Sequence, residues 1–366
     1  MDYRTLIQVL KNPPSFKHPV ILPDFFLDHF VIQGKLEEFI KGLRSLAEQG
    51  GGNMLGSTQM IRRGGNSANT AAALYALGAS PVLIATTDEQ GKRLLQSLTS
   101  SGLDLSHVHT DGSLSATVSL EVEHEGRRVN LMVSDSGSAS SFDFTQLNEA
   151  DLSAIADSGL VAIMNLNHNS RAYEFTKDLL GYVRTNSEAV TFMDFGDPSN
   201  NPSMLEPIMH DVVSKGYVDV FAMNENESAW IAWAIDGHKS RWRDGIKDPE
   251  TWLSTAEFVS EELSIAVDFH TPFYSASIAG GRVIGCPAFP AESRVLCGAG
   301  DAWNAGDIWG LLSGLEVMDR LVLANAVASL YVSAGTAEHP TTDDVIEFLE
   351  QNPRTSDGAT KLLKLK

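Results

Sequence analysis

The tetrad Gly298-Ala299-Gly300-Asp301 runs without a break into the apolar, Ala- and Trp-containing stretch 302–312. Small residues let backbone N–H groups approach a ligand closely, and the first turn of a helix leaves N–H groups without intrahelical partners. Such a junction can hold a phosphate. A carboxylate at the same place would repel that phosphate unless it acts on something adjacent, such as the proton of an attacking hydroxyl. Together the two features point to phosphoryl transfer to an alcohol. The bland alternative is a tight turn with an Asp favoured near the positive end of a helix. The dinucleotide fingerprint G-x-G-x-x-G would need Gly where Trp303 stands, and the chain holds no G-x-x-x-x-G-K-[ST] loop, so the usual Rossmann and P-loop readings fall away.

Two further clusters carry chemistry. Arg62-Arg63-Gly64-Gly65-Asn66-Ser67-Ala68-Asn69 is a Gly-Gly turn with two Asn three residues apart, opening an Ala-rich helix closed by Gly78. Asn offers donor and acceptor together, which suits sugar hydroxyls and equally suits a helix cap. Asn224-Glu225-Asn226-Glu227 follows the apolar strand 218–222, where a strand runs into a helix.

These residues need elements to position them. Apolar runs at 81–86, 160–165, 189–194, 218–222 and 265–269 alternate with amphipathic segments at 173–183, 228–235, 252–263, 320–333 and 343–349, the last capped by Thr341 or Thr342. That alternation predicts an α/β fold, a doubly wound, mostly parallel sheet flanked by helices, with ligands at the carboxyl ends of its strands. One segment breaks the pattern: 116–124 and 127–133 flank Glu125-Gly126 and read as a β-hairpin, which needs an apolar partner to be stable.

Composition fits a globular enzyme: 43% of the 366 residues are hydrophobic and 20% charged. With 27 basic against 47 acidic residues, the net charge of −20 argues against nucleic acid or an anionic membrane as partner. There is no run of about 18 apolar residues and no basic start followed by an apolar core, so neither a membrane span nor a signal peptide is expected, and the cytoplasm is the expected address. Cys286 and Cys297 are too few for a disulfide framework; a thiol just before a helix start, as at Cys297, can be reactive, and a small buried filler is the other reading. His107 and His109 read as solvated loop residues, with no carboxylate–His pattern near them in sequence.

In order and spacing, the early G-G-x-x-x-N, the central N-x-x-E and the late G-A-G-D resemble the ribokinase-like (PfkB) carbohydrate kinase family over residues 18–350. The apolar stretch 20–28 is similar to the family's first strand, which ends in a sugar-binding Asp. The resemblance implies a β lid over the sugar from about 30–61 and 115–135, which also serves as a homodimer face. It leaves 1–17 as an N-terminal appendage and 351–366 as a tail. By the same resemblance Asp301 is the base, and Gly298, Ala299 and Gly300 form the anion hole. Asn224 and Glu227 position Mg²⁺ and its waters beside the nucleotide, and Asp28, Gly65, Asn66 and Asn69 hold the acceptor. Asn325 resembles an Asn near the nucleotide base, though a helical Asn in an Ala-rich run also packs.

Two departures stand out. Val295-Leu296-Cys297 fills the place of the family's Asp-Thr, which takes away the ground for a monovalent-cation loop. The expected Thr-x-Gly is replaced by 268–275, whose His270, Thr271 and Tyr274 are similar to the ADP-dependent sugar kinases. ATP is the expected phosphoryl donor and ADP the alternative. The acceptor is a small sugar, sugar acid, sugar phosphate or nucleoside. A phosphorylated one would call for Arg62 or Arg63, and Asp197 reads as a turn former that could also reach the cleft. The rival from another class is a non-catalytic sugar- or nucleotide-sensing protein on the same scaffold.

Overall fold

The computed structural model describes residues 3–352 except 293, 296, 335 and 337; the tail beyond 352, Met1, Asp2 and the Leu296 of the departure at 295–297 lie outside the described residues. Helix α1 (Arg4–Lys11) precedes strand β1 (Pro19–Leu22), whose four side chains are apolar and buried, as a strand covered on both faces requires. The chain then leaves the core through β2 (Phe26–Lys35), α2 (Leu36–Glu48) and β3 (Thr58–Gly64), and returns by α3 (Asn66–Ala76) to β4 (Val82–Leu83). Short β5 (Ala85–Thr86), α4 (Glu89–Ser97) and β6 (Val108–His109) lead to the hairpin of β7 (Ser115–His124) and β8 (Arg127–Asp135). Next come α5 (Glu149–Asp157), β9 (Leu160–Met164), α6 (Ala172–Asn186), β10 (Val190–Asp194), α7 (Leu205–Asp211), β11 (Val220–Met223) and α8 (Glu225–Ile235). The last part holds α9 (Ser240–Asp244), α10 (Trp252–Leu263), β12 (Ala266–His270), β13 (Tyr274–Ala279), β14 (Arg282–Pro287), α11 (Ala299–Leu312), α12 (Val317–Ala334) and α13 (Thr342–Gln351).

β4, β1, β9, β10, β11 and β12 pair in parallel in that spatial order, and β13 and β14 extend the sheet antiparallel beyond β12. The expected doubly wound sheet is present; the antiparallel edge was not foreseen, although Gly280-Gly281 at positive φ marks its turn. Alternation along β9 divides the interior. Leu160, Ala162 and Met164 enter one apolar layer with α1, α3, α11, α12 and α13, whereas Val161 and Ile163 enter the other with α6, α7, α8 and α10. Leu6 and Leu10 of α1 are buried in the first layer, so the N-terminal helix is part of the core packing. α12 is long and apolar enough to cross a membrane, yet here it lies between α11 and α13 with Arg320 in a buried ion cluster.

The hairpin pairs as predicted, with Glu125 and Gly126 both at positive φ (49° and 73°), and joins a four-stranded sheet β3-β2-β7-β8. Register fixes its two faces. Asp28 stands opposite Arg62 and Thr117, while His29 stands opposite Ile61 and Val118, which in turn faces Val133. One face is therefore lined by Asp28, Arg62, Thr117 and Ser119; the other exposes Ile61, Val118, Leu131 and Val133 and carries Arg63.

His107 and His109 depart from their expected place as solvated loop residues. His107 Nδ1 lies 2.7 Å from Asp151 Oδ1 and His109 Nε2 2.8 Å from Oδ2, with Asp151 fully buried. The carboxylate that anchors them is 44 residues from His107, beyond the reach of a local pattern.

Candidate active site

The carboxyl ends of β1, β9, β10 and β11 lead to Asp24, Asn165, Asp194 and Asn224, and the starts of α3 and α11 face the same edge. Sheets of this kind place ligands there because the strand ends and helix starts leave backbone groups free to point at them.

Asp301 sits in the first turn of α11, only 6% exposed, after Gly298 at φ 87°. A Cβ on Gly298 would come within 2.5 Å of the Tyr331 hydroxyl, which donates to the Cys297 carbonyl at 2.8 Å, so glycine is needed both for the backbone conformation and for space. Asn69 Nδ2 donates to Asp301 Oδ2 at 2.9 Å, and Arg63 Nε donates to Asn69 Oδ1 at 3.1 Å, which fixes which end of the amide faces the carboxylate. Burial raises the Asp301 carboxyl well above its ordinary range, the Asn69 bond opposes that rise, and the charges of Asp194 and Asp24 add to it. A carboxylate so raised is a stronger proton acceptor once ionised.

Beside it, Asp24 closes the start of α3. Its carboxylate accepts from Asn66 N at 3.2 Å, Ser67 N at 2.8 Å and Asn165 Nδ2 at 2.6 Å, while its own N–H donates to Ser67 Oγ at 3.1 Å. Gly65 holds φ 85°, and a Cβ there would meet the backbone of Phe25 and Phe26 at 2.9 Å. Asn304 of α11 donates to Asp194 Oδ2 at 2.5 Å, so α3, α11 and the ends of β1, β9 and β10 are joined by side-chain bonds. Asp28, expected at the end of the first strand, lies instead on β2, because β1 stops at Leu22. Its carboxyl is pushed up to about 7 by burial and by the charge of Asp24, and a side chain on Gly64 would collide with it. Cys297 feels the charges of both Asp28 and Asp301; burial first, then those charges, pushes its thiol up to about 12, so it is the filler rather than a reactive thiolate.

On the other side, Asn224 and Glu227 form a capping box for α8. Asn224 Oδ1 accepts from Asn226 N at 2.9 Å and Glu227 N at 3.0 Å, and Glu227 Oε2 accepts from Asn224 N at 2.8 Å. Asp197 caps its own turn through Ser199 N and accepts from Asn226 Nδ2 at 2.9 Å, which brings it beside this motif. Burial, then the charge of Asp194, raises Glu227 well above its ordinary range. Paired carboxylates that repel each other fit a hard divalent cation, and Mg²⁺ asks for one or two of them with the rest from water and phosphate. Among the described residues no group of three or more His, Cys, Asp or Glu side chains is placed to hold a metal ion.

His270 ends β12 and stacks on Trp303 of α11, ring centres 4.8 Å apart; a Cβ on Gly300 would lie 3.3 Å from its Nε2. Burial holds the imidazole down at about 4, hence neutral, and its Nδ1 is buried without a partner. Thr271 is used locally: its hydroxyl donates to Tyr274 O at 2.8 Å and accepts from Phe273 N and Tyr274 N. Asn325 accepts from Trp303 Nε1 at 2.9 Å and donates to the carbonyls of Cys286 and Pro287, so its amide bonds α12 to α11 and β14. Its Nδ2 donors and one lone pair of its oxygen are thus used within the protein, as the packing reading expects.

Sequence reasoning passed over Asp24, Asn165, Asp194 and Asn304. Asp24 and Asp194 had one signal, a polar residue at the carboxyl end of an apolar strand. Asn304, inside an apolar helix, had none.

Residues 43–344 match the family described as pfkB family carbohydrate kinase. A 5-dehydro-2-deoxygluconokinase of Geobacillus thermodenitrificans (strain NG80-2) is 24% identical over 295 residues, 78% of this chain and 84% of the relative. One from Geobacillus kaustophilus (strain HTA426) is 26% identical over 306 residues, 81% and 87% of the two chains. The solved structure of Arabidopsis thaliana ribokinase complexed with ribose and ATP aligns with TM-score 0.67 at 17% identity, covering 92% of this chain and 99% of that one. Ribokinase from Cryptococcus neoformans var. grubii serotype A in complex with ADP gives TM-score 0.64 at 18% identity, covering 91% and 99%. At such identities the structural likeness speaks for the fold.

Proposed function

Because the chain belongs to the pfkB family of carbohydrate kinases, we propose that it transfers the terminal phosphoryl group of ATP to a hydroxyl of a small carbohydrate acid, with Asp301 as base. The observation that carries this reading is the buried Asp301 held by Asn69 at the start of α11, where the N–H groups of the first turn remain free for an anion.

In the reaction the acceptor hydroxyl gives its proton to Asp301 while its oxygen bonds the phosphorus, and the bond to the nucleotide's leaving oxygen breaks. The N–H groups after Gly298 hold the transferring group. Asp28, Gly65, Asn66 and Asn69 orient the acceptor, with Arg62 on the same lid face as Asp28 to meet an acidic group. Asn224 and Glu227 would hold Mg²⁺ through water, and the ion supplies charge neutralisation on the phosphates. The acid is suggested by the names of the relatives in Geobacillus, both 5-dehydro-2-deoxygluconokinases.

One observation favours ADP as a second donor: His270 beside Gly300 and Trp303 puts an aromatic stack next to the phosphate turn. The test is product formation followed by mass spectrometry, offering sugar acids, sugars, sugar phosphates and nucleosides with Mg·ATP or Mg·ADP. A phosphorylated sugar acid from ATP is expected. Ligand-induced stabilisation with no phosphorylated product from any pair would turn the reading to a sensing protein.

The apolar lid face of Ile61, Val118, Leu131 and Val133 supports a homodimer through the lid. Sedimentation at micromolar concentration should give twice the mass of 39.6 kDa, and Val133→Glu should return it to one.

A further inference from the structure

Arg63 stands next to last in β3, directly before the Gly64-Gly65 turn, and its half-buried guanidinium reaches two other parts of the chain. Nε donates to Asn69 Oδ1 on α3 at 3.1 Å, and Nη1 donates to the Leu98 carbonyl just past α4 at 3.1 Å. Asn69 in turn donates through Nδ2 to Asp301 Oδ2 on α11 at 2.9 Å. Two hydrogen bonds in series therefore link a cation on the lid strand to the buried carboxylate. Burial lowers the hold of Arg63 on its proton, and the charges of Tyr331 and Asp301 oppose that loss.

The polarity of this series has a chemical consequence. A guanidinium has only donors, so the Asn69 atom facing it must be the oxygen, and the atom facing Asp301 must be the N–H. A carboxylate that meets a donor is favoured in its ionised form, the form that can accept a proton. Turned end for end, the amide would present its oxygen to Asp301, accept from the carboxylic acid and favour the protonated form, which is no base. Asp301 alone does not choose between these ends, since the acid suits one and the carboxylate the other. Arg63 makes the choice.

Its charge acts in the same direction. Burial raises the Asp301 carboxyl, the Asn69 bond opposes the rise, Asp194 at the end of β10 and Asp24 after β1 add to it, and Arg63 opposes it. The other titratable groups nearby are neutral. Burial holds the Cys297 thiol up at about 12 and raises the Tyr331 hydroxyl of α12; it holds His270, beside Gly300, down at about 4 and His339 well below its ordinary range. Asp28 and Arg62 act on Cys297 with opposite signs.

We propose that Arg63 is a positioning residue for the base, acting through Asn69 rather than on the acceptor: it holds the amide N–H toward Asp301 and supplies the positive charge that favours the carboxylate. The inference rests on the reading of Asp301 as base, and it leaves Arg62 as the cation available to an acidic acceptor.

The test follows the Asp301 carboxyl itself and so needs no turnover. Its infrared carbonyl band, assigned by its loss in Asp301→Asn, is titrated in the unaltered full chain and in Arg63→Met, Arg63→Gln and Arg63→Lys. Removing the charge in Arg63→Met and Arg63→Gln should move the titration upward by about one pH unit or more. Arg63→Lys, again a cation with donors only, should restore most of the difference. Where product forms, kcat on the acid limb should fall about tenfold in the two neutral variants at equal pH, return as the pH is raised, and leave the nucleotide KM unchanged. Should Arg63→Met fail to fold, Arg63→Gln carries the comparison. A merely structural role would lower Tm in the variants and leave the titration in place; an unmoved titration in the neutral variants overturns the proposal. A moved titration in a protein that phosphorylates nothing would sink the kinase reading and leave the positioning role standing.

Discussion

The proposed acceptor side and the proposed nucleotide side of the cleft are built by different means. Around Asp301 the bonds are long in sequence: Asn69 to Asp301 spans 232 residues, Asn165 to Asp24 spans 141 and Asn304 to Asp194 spans 110. Around the proposed nucleotide side they are shorter: Asn224 and Glu227 cap one another three residues apart, Thr271 closes its own turn, and Asn226 reaches Asp197 over 29 residues. The first arrangement holds a carboxylate in place only when the whole sheet is assembled, and the second forms wherever the local chain does. A base needs a fixed position to within fractions of an ångström, whereas phosphates are long, flexible ligands that local caps and backbone N–H groups can receive.

If the long-range wiring serves catalysis, Asp301→Asn should have the largest effect. Loss of the base is expected to lower kcat by about 10²–10⁴-fold while acceptor and nucleotide affinities hold, measured by steady-state rates beside equilibrium binding. Unchanged kcat would break the contrast at its centre. Asp24→Ala should follow. It strands the donors of Asn66, Ser67 and Asn165 in a buried place, at a cost of at least about 1–3 kcal/mol in chemical denaturation. The smallest effect belongs to the local side: Asn224→Ala should cost about 0.5–2 kcal/mol as a lost cap. A stability loss for Asn224→Ala larger than for Asp24→Ala would show that the local motif, too, is tied into the long-range frame.

Much of the fold was legible. The period-two hairpin around Glu125-Gly126, the alternation of apolar strands with helices and the Thr341 cap all arise between near neighbours, and each appears where its pattern put it. The G-A-G-D turn and the strand-to-helix junction at 224–227 were legible for the same reason, whereas the reciprocal cap of Asn224 and Glu227 was not read from the sequence. Other features were not. Asp28 reads as the end of a strand because the run 20–28 is apolar, yet the chain leaves the central sheet at Leu22 and reaches Asp28 on the lid. Asn325 reads equally as a ligand group or a packed one, and only the fold shows the indole of Trp303, 22 residues away, bonded to its oxygen.

The sequence by itself determined which segments are strand and helix, which turns require glycine, and where free N–H groups meet a carboxylate, since all of these follow from propensity, capping and φ within a few residues. Tertiary structure alone decided which side chain each carboxylate meets and that Asp24 shuts the start of α3. Those outcomes depend on burial and on partners far along the chain, 43 residues from Asp24 to Ser67 and 232 from Asn69 to Asp301, and burial is what turns an ordinary Asp into one whose proton affinity is raised.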